Sequence, residues 1–315
     1  MKAKIVIVLG PTAVGKTEFA LELAKQINGE IVNADSQQVY RYMDIGTGKP
    51  SKAERQIVPH HLIDIVNPDE DFNAATYRAL AIDDIHEIHE RRKSVVVCGG
   101  TGLYLKALTH GLFVGPGQNR ELRRELEKEI AERGLAAVHH SLVQIDPSVT
   151  ATIHPNDRQR TIRALEVYRS TGRPLSDWQK AHAFGDQPFD VFKIGLLRER
   201  TELYDRINQR SEKMIGDGLL EEVRGLMARG YRLDLRPLRS VGYRQIGEVI
   251  QGTKGLGQAL DEMKQETRHL AKRQLTWFRR DEGIRWHHPE IGLDQIIETV
   301  KNFLNGESTK MRRHP

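Results

Sequence analysis

The sequence has 315 residues, 38% hydrophobic and 29% charged, with a formal net charge of +5 at pH 7, enough apolar material for one large domain or two smaller ones. No run of eighteen apolar residues occurs, which speaks against a membrane-spanning helix, and a single cysteine, Cys98, excludes an internal disulfide and a cysteine-rich metal site. The apolar run after Lys4 is too short for a secretory leader and leads into Gly10-Pro11-Thr12-Ala13 rather than a cleavage site, so a cytosolic protein is expected.

Residues 5–9 form a short β-branched run closed by Gly10, the pattern of a buried parallel strand. Helix-favouring residues follow over 17–26, and Asn28-Gly29 supplies a stop. Residues 30–34 and 94–98 read as two further strands, with a helix over 74–92 between them. Cys98 is expected to be a small buried hydrophobe. His60-His61 and His287-His288 would diverge on a helix or a strand, so neither pair suits a metal. Between Pro116 and Pro188 strand patterning disappears, and residues 120–133 and 156–170 read as charged amphipathic helices. A strand over 192–197, one long helix from about Glu202 to Arg229 and a basic helix over 260–280 complete the pattern. This order predicts an α/β protein with a parallel sheet of the P-loop NTPase kind, flanked by helices, over 1–115 and 190–305. A helical insertion is expected at 116–189 and a disordered tail at 306–315.

Gly10-Pro11-Thr12-Ala13-Val14-Gly15-Lys16-Thr17 fits the pattern G-x-x-x-x-G-K-[ST], in the strand-to-helix context it requires. Its glycines let the backbone curl so that successive N–H groups point at phosphate oxygens, and the helix start adds its positive end. Lys16 brings a full charge, and the Thr17 hydroxyl can ligate Mg²⁺, the one cofactor expected. A motor or switch NTPase adds a second acidic residue at a strand end. Here the strand at 94–98 runs into Gly99-Gly100-Thr101-Gly102, and Asp64, the available stand-in, lies in a poor strand pattern.

Ligands of doubly wound sheets bind beyond the carboxyl ends of the strands, which marks Asp35-Ser36-Gln37-Gln38 and Thr101. Asp35 is either a proton acceptor or a turn-forming cap. Thr101 is either a hydroxyl partner in the same cleft or part of a tight turn.

Several segments in this order resemble the bacterial tRNA dimethylallyltransferases (isopentenyltransferases). They are the phosphate loop, Asn33-Ala-Asp35-Ser36-Gln-Gln-Val-Tyr40, Asp44-Ile-Gly-Thr-Gly-Lys49-Pro50 and His60-His61-Leu-Ile-Asp64. Gly99-Gly-Thr101-Gly-Leu-Tyr104, Asn156-Asp157-Arg158 with Arg163-Ala-Leu-Glu166-Val, Val241-Gly-Tyr243 and Ala271-Lys-Arg-Gln-Leu-Thr-Trp277-Phe278-Arg279 continue the match. The likeness reaches about Trp286, with Gly48 standing where alanine is more usual. It implies transfer of a dimethylallyl group from dimethylallyl diphosphate to N6 of adenosine 37, beside the tRNA anticodon.

On that resemblance the catalytic residues are Asp35 as general base, Lys16, Thr101 and Arg206. Arg200 and Arg210 are further candidates for the diphosphate, the alternative being a solvated basic helix face. The tRNA anticodon stem-loop is expected on Asp35, Ser36, Gln37, Gln38 and Thr101, and on Arg123, Arg158, Gln159, Arg160 and Arg163. Lys272, Arg273, Gln274, Trp277, Arg279 and Arg280 complete the expected tRNA contacts. Arg123 could equally serve ion pairs within its helix, and Trp277 could pack that helix onto the core. A monomer is expected. Two other functions remain open, a P-loop kinase for a small metabolite or nucleotide and a non-catalytic RNA-binding protein.

Overall fold

The computed structural model describes residues 2–113, 115–182 and 185–307. The chain divides into two compact units, Met1–Thr109 with Pro188–Pro315, and His110–Gln187. The first unit opens with β1 (Ala3–Leu9), α1 (Lys16–Gln26), β2 (Gly29–Asn33), α2 (Lys52–Ile57), β3 (His60–His61), α3 (Ala74–Glu90), β4 (Ser94–Gly99) and α4 (Gly102–His110). The second unit holds α5 (Arg120–Arg133), α6 (Leu135–Ile145), α7 (Pro147–Thr150), α8 (Arg158–Thr171) and α9 (Leu175–His182). The chain returns to the first unit with β5 (Phe189–Leu196), α10 (Arg200–Gly216), α11 (Leu219–Ala228), α12 (Tyr243–Ile250), α13 (Leu256–Phe278), β6 (Ile284–His287) and α14 (Leu293–Asn305).

Six parallel strands lie in the order β3-β2-β4-β1-β5-β6. The apolar run at 5–9 has a direct reading in this sheet. Strand side chains alternate between faces, so Ile5, Ile7 and Leu9 enter one core with Tyr77, Ile85 and Leu108, while Val6 and Val8 enter another with Phe19, Leu23 and Ile207. Both faces are covered, which is why the run is continuous rather than alternating. Each such fully buried side chain contributes about 1.5–3 kcal/mol of burial energy.

Two expectations are corrected and one strand is added. His60–His61 does pair with β2, as a two-residue edge strand, and Ile284–His287 forms a sixth strand on β5. Their half-buried polar residues hide the usual apolar signal. The helix expected from about Glu202 to Arg229 is two helices, because Gly218 takes φ +101° and turns the chain between α10 and α11.

The second unit is helical and packs Leu126, Ile130, Val138, Leu142, Ile162 and Leu165 together. Its bounds fall at 109/110 and 187/188, beside the 115/116 and 189/190 expected from sequence. Asn119 and Asp157 cap α5 and α8 through their side chains. Of the tail expected at 306–315, Gly306 closes α14 in a left-handed conformation, and residues 308–315 lie outside the described residues. Among the described residues no helix is long and apolar enough to cross a membrane.

Candidate functional site

A cleft of about 980 Å³ opens at the carboxyl edge of the sheet in the first unit, lined by the phosphate loop, the ends of β2 and β4, and faces of α10 and α13. The loop follows from its sequence. Gly10 takes φ +150°, and a Cβ there would come within 2.7 Å of the Leu196 carbonyl oxygen, so no other residue fits this close approach. Outward carbonyls are held by cations: Lys16 Nζ donates to Pro11 at 2.7 Å, Arg206 Nε to Ala13 at 3.0 Å and Arg198 Nε to Val14 at 2.9 Å. The first N–H groups of α1 have no intrahelical acceptor and face the cleft end of the helix, a ready anion site. Burial pushes Lys16 down to about 8, against the pull of Cys98 and Asp35. Thr17 lines the same wall.

Asp35 follows β2 directly and does both things its position allows. Its Oδ1 accepts the Gln37 N–H at 2.8 Å, a turn-forming bond; its second oxygen has no hydrogen bond among the described residues. The carboxylate's charge is felt at both Lys16 and Arg210. Thr101 Oγ1 accepts the Ser36 N–H at 2.9 Å, and the Thr101 N–H donates to the Ala34 carbonyl at 3.1 Å. The structure therefore brings Asp35, Ser36, Thr101 and Lys16 to one cavity. The two glutamines differ. Gln38 Nε2 donates to the Gly48 carbonyl at 3.2 Å, so its amide is engaged by the chain itself. Gln37 keeps a buried Oε1 with no partner among the described residues.

The loop 44–48 forms a wall of the cleft and rests on a residue that sequence reasoning missed. Glu222 accepts the N–H groups of Asp44, Ile45 and Gly46 at 2.9, 2.7 and 3.1 Å. Gly48 sits at φ +59°, and the Arg210 guanidinium occupies the place a Cβ would take there. Alanine at this position would be strained and would displace Arg210. Asp64 is not available to a metal. Lys49 and Arg55 hold it at 2.6 and 2.8 Å; burial works to raise its carboxyl, but these bonds outweigh that and keep it below the usual range.

Of the three arginines on α10, Arg206 and Arg210 line the cleft. Burial holds Arg210 below its ordinary value, with Asp35 pulling the other way. Arg200 instead stacks over Tyr204, 5.2 Å from its ring centre. Arg198, unforeseen, is the buried one that braces the loop through Val14. Cys98 departs from its expected burial: it is half-buried, lines the cleft and lies 3.7 Å from the Lys16 carbonyl oxygen. Burial pushes its thiol up to about 12.

The residues expected on RNA divide. Arg123 and Arg163 are committed to Glu166, a fully buried carboxylate, at 2.9 and 2.7 Å. Burial works to raise Glu166, but Arg123, Arg163 and the Asn119 N–H hold it below its ordinary value. Arg158 pairs with Glu127, Arg160 pairs with Asp157 at 3.3 Å, and both arginines, with Gln159, are exposed. Lys272 and Arg273 on α13, and Arg279 and Arg280 just after it, are exposed, Arg273 at the rim of the cleft, and Trp277 is 36% exposed beside Gly102. Gln274 turns the other way, into the cleft wall, and bonds Thr12 and Gly100. The 178-residue separation of Glu222 from Asp44 leaves no local pattern by which it could have been found.

The IPP transferase family matches residues 38–281. A tRNA dimethylallyltransferase of Geobacter metallireducens is 51% identical over 96% of this chain and 98% of its own. The crystal structure of the tRNA isopentenylpyrophosphate transferase from Bacillus halodurans is similar with a TM-score of 0.71 and 42% identity, over 97% of this chain and 96% of that one. A eukaryotic dimethylallyltransferase acting on tRNA is similar with a TM-score of 0.85 and 26% identity, over 99% of this chain and 82% of that one. The chain belongs to the IPP transferase family.

Proposed function

We propose that this chain is a tRNA dimethylallyltransferase, moving a dimethylallyl group from dimethylallyl diphosphate to the exocyclic N6 of adenine 37 beside the anticodon. One observation carries the reading: the phosphate loop and the Asp35–Thr101 pair of strand ends open into a single cleft, with the Asp35 charge felt at Lys16 and Arg210. The named activities of the similar proteins support it.

The chemistry follows from the placement. The N6 lone pair is delocalised into the purine ring and is a weak nucleophile, so a base at the amine matters. N6 attacks the allylic carbon, the carbon–oxygen bond breaks, and the diphosphate leaves with the electron pair. The N6 proton passes to the oxygen of Asp35 that the Gln37 turn leaves open. Lys16, Arg210 and the loop amides meet charge that grows on the departing oxygens, which lowers the barrier more than it tightens the ground state. The target base has to leave its stack to reach this cleft, and the open acceptor of Gln37 suits an amine hydrogen.

Among the described residues no cluster of three or more His, Cys, Asp or Glu could hold a metal by itself. A hydroxyl beside a phosphate loop does fit Mg²⁺ carried in on a diphosphate, and Thr17 would hold it. Bound there, the ion would neutralise part of the leaving group's charge.

Incubating the protein with unmodified tRNA and dimethylallyl diphosphate, without ATP, should yield N6-dimethylallyladenosine in digested nucleosides read by mass spectrometry. Phosphorylation of a small acceptor from ATP with no prenylated nucleoside would favour the kinase reading. Binding of tRNA without product would favour the non-catalytic one.

A further inference from the structure

The carboxyl-terminal turns of α13 carry residues facing two ways. Lys272 on the helix, and Arg279 and Arg280 just after it, are exposed to solvent, and Arg273 is exposed at the rim of the cleft. Gln274 points inward: its Oε1 accepts the Thr12 N–H at 2.8 Å, and its Nε2 donates to the Gly100 carbonyl at 3.0 Å. A single planar amide thus joins the entry of the phosphate loop to the turn that presents Thr101. Trp277, three residues on, occupies with its indole the space a Cβ on Gly102 would need. The end of the helix is therefore fastened to both walls of the cleft.

We propose that Gln274 is a positioning residue for the transfer reaction and not a contact to RNA. It sets the distance between the diphosphate loop and the Gly100-Thr101 turn, and it ties that distance to the helix whose outer face is basic. The inference rests on the prenyl-transfer reading, in which the leaving oxygen is held by one wall and the attacking amine by the other. In-line displacement is sensitive to that spacing, since a misplacement of about 1 Å can cost about 10²-fold in rate. The Thr12 N–H and Gly100 carbonyl are part-buried, so losing the amide leaves one donor and one acceptor to find new partners by moving apart. Both bonds come from one side chain more than 170 positions away in sequence.

Two variants test it. Gln274→Met removes both hydrogen bonds with little change in volume. Gln274→Glu restores them when its carboxyl is protonated, since that form offers one O–H donor and one carbonyl acceptor in the amide's place. Gln274→Met should lower kcat about 10- to 100-fold and weaken binding of inorganic diphosphate in calorimetry. Its Kd for tRNA, and the salt dependence of that Kd, should stay within about twofold of the parent. Gln274→Glu should recover turnover relative to the parent as pH falls through the titration of its carboxyl, a profile that Gln274→Met lacks. An unchanged kcat in Gln274→Met, a loss confined to tRNA affinity, or a Gln274→Glu profile parallel to the parent's would each overturn the assignment. If Gln274→Met does not fold, the pH dependence of diphosphate affinity in Gln274→Glu decides the matter. Failure of the unaltered protein to prenylate tRNA would overturn the prenyl-transfer reading instead, and the diphosphate titrations would still show whether Gln274 sets the loop.

Discussion

The Tyr243 hydroxyl donates to Glu222 Oε1 at 2.6 Å. The bond links α12 to α11, and through the three amides that Glu222 accepts it fixes the loop 44–46 ahead of Thr47. The Thr47 carbonyl in turn accepts from Gln38 and from Arg210. Removing the carboxylate in Glu222→Ala should cost about 2–4 kcal/mol in urea unfolding, and Tyr243→Phe about 1–2 kcal/mol. The two losses should not add, because they share one bond. Strict additivity in a double-mutant cycle would mean that the loop is held some other way.

Asp35→Asn keeps an oxygen for the Gln37 turn and removes the proton acceptor. Turnover should fall about 10²–10⁴-fold while the Kd for tRNA changes little. An equal loss in both would make Asp35 a residue of the binding surface rather than the base.

Arg273 and Arg123 should behave as opposites. Arg273 is exposed on α13, so Arg273→Ala should flatten the slope of log K for tRNA against log salt by roughly 0.7–0.9 and leave the melting temperature alone. Arg123 is paired with buried Glu166, so Arg123→Ala should destabilise the fold by about 2–3 kcal/mol, leaving that carboxylate to Arg163 and the Asn119 N–H. Calorimetric melts and salt titrations on both variants separate the roles; an unmoved melting temperature in Arg123→Ala would return that residue to the RNA.

His61 bridges Glu30, at 2.7 Å, and Asp84 at 3.6 Å. The Asp84 carboxylate raises its pKa above 6.5, burial opposes, and Glu30 adds to the rise. A raised histidine contributes stability that is fully present below about 6.5 and fades as pH climbs through the raised value. The stability gap between the parent and His61→Gln should therefore be wide at pH about 6 and narrow at pH about 9, as urea melts would show. A gap that widened with pH would contradict the bridge.

Local features of this protein were legible in its sequence and distant couplings were not. The phosphate loop, Asp35 after β2 and the glycine turn at Thr101 each follow from a short run of residues whose backbone needs are specific. Gln274 reads as one more polar residue on a basic helix, because the partners that define it stand at Thr12 and Gly100. Arg123 reads as an RNA contact for a similar reason: the buried carboxylate of Glu166 that pairs with it comes within reach only when α5 and α8 meet. The edge strands β3 and β6 escape pattern reading because Arg285, His60 and His61 carry no apolar alternation.

Cys98, the chain's one thiol, gives the cleft an internal reporter. Its sulfur lies under the first turn of α1 and is held in the protonated form, so alkylation is slow and every labelled molecule carries its label at a single known place. The rate of labelling counts how often that floor of the cleft is uncovered. Saturating the loop with diphosphate should slow the count, which turns one half-buried sulfur into a clock for the opening of the site.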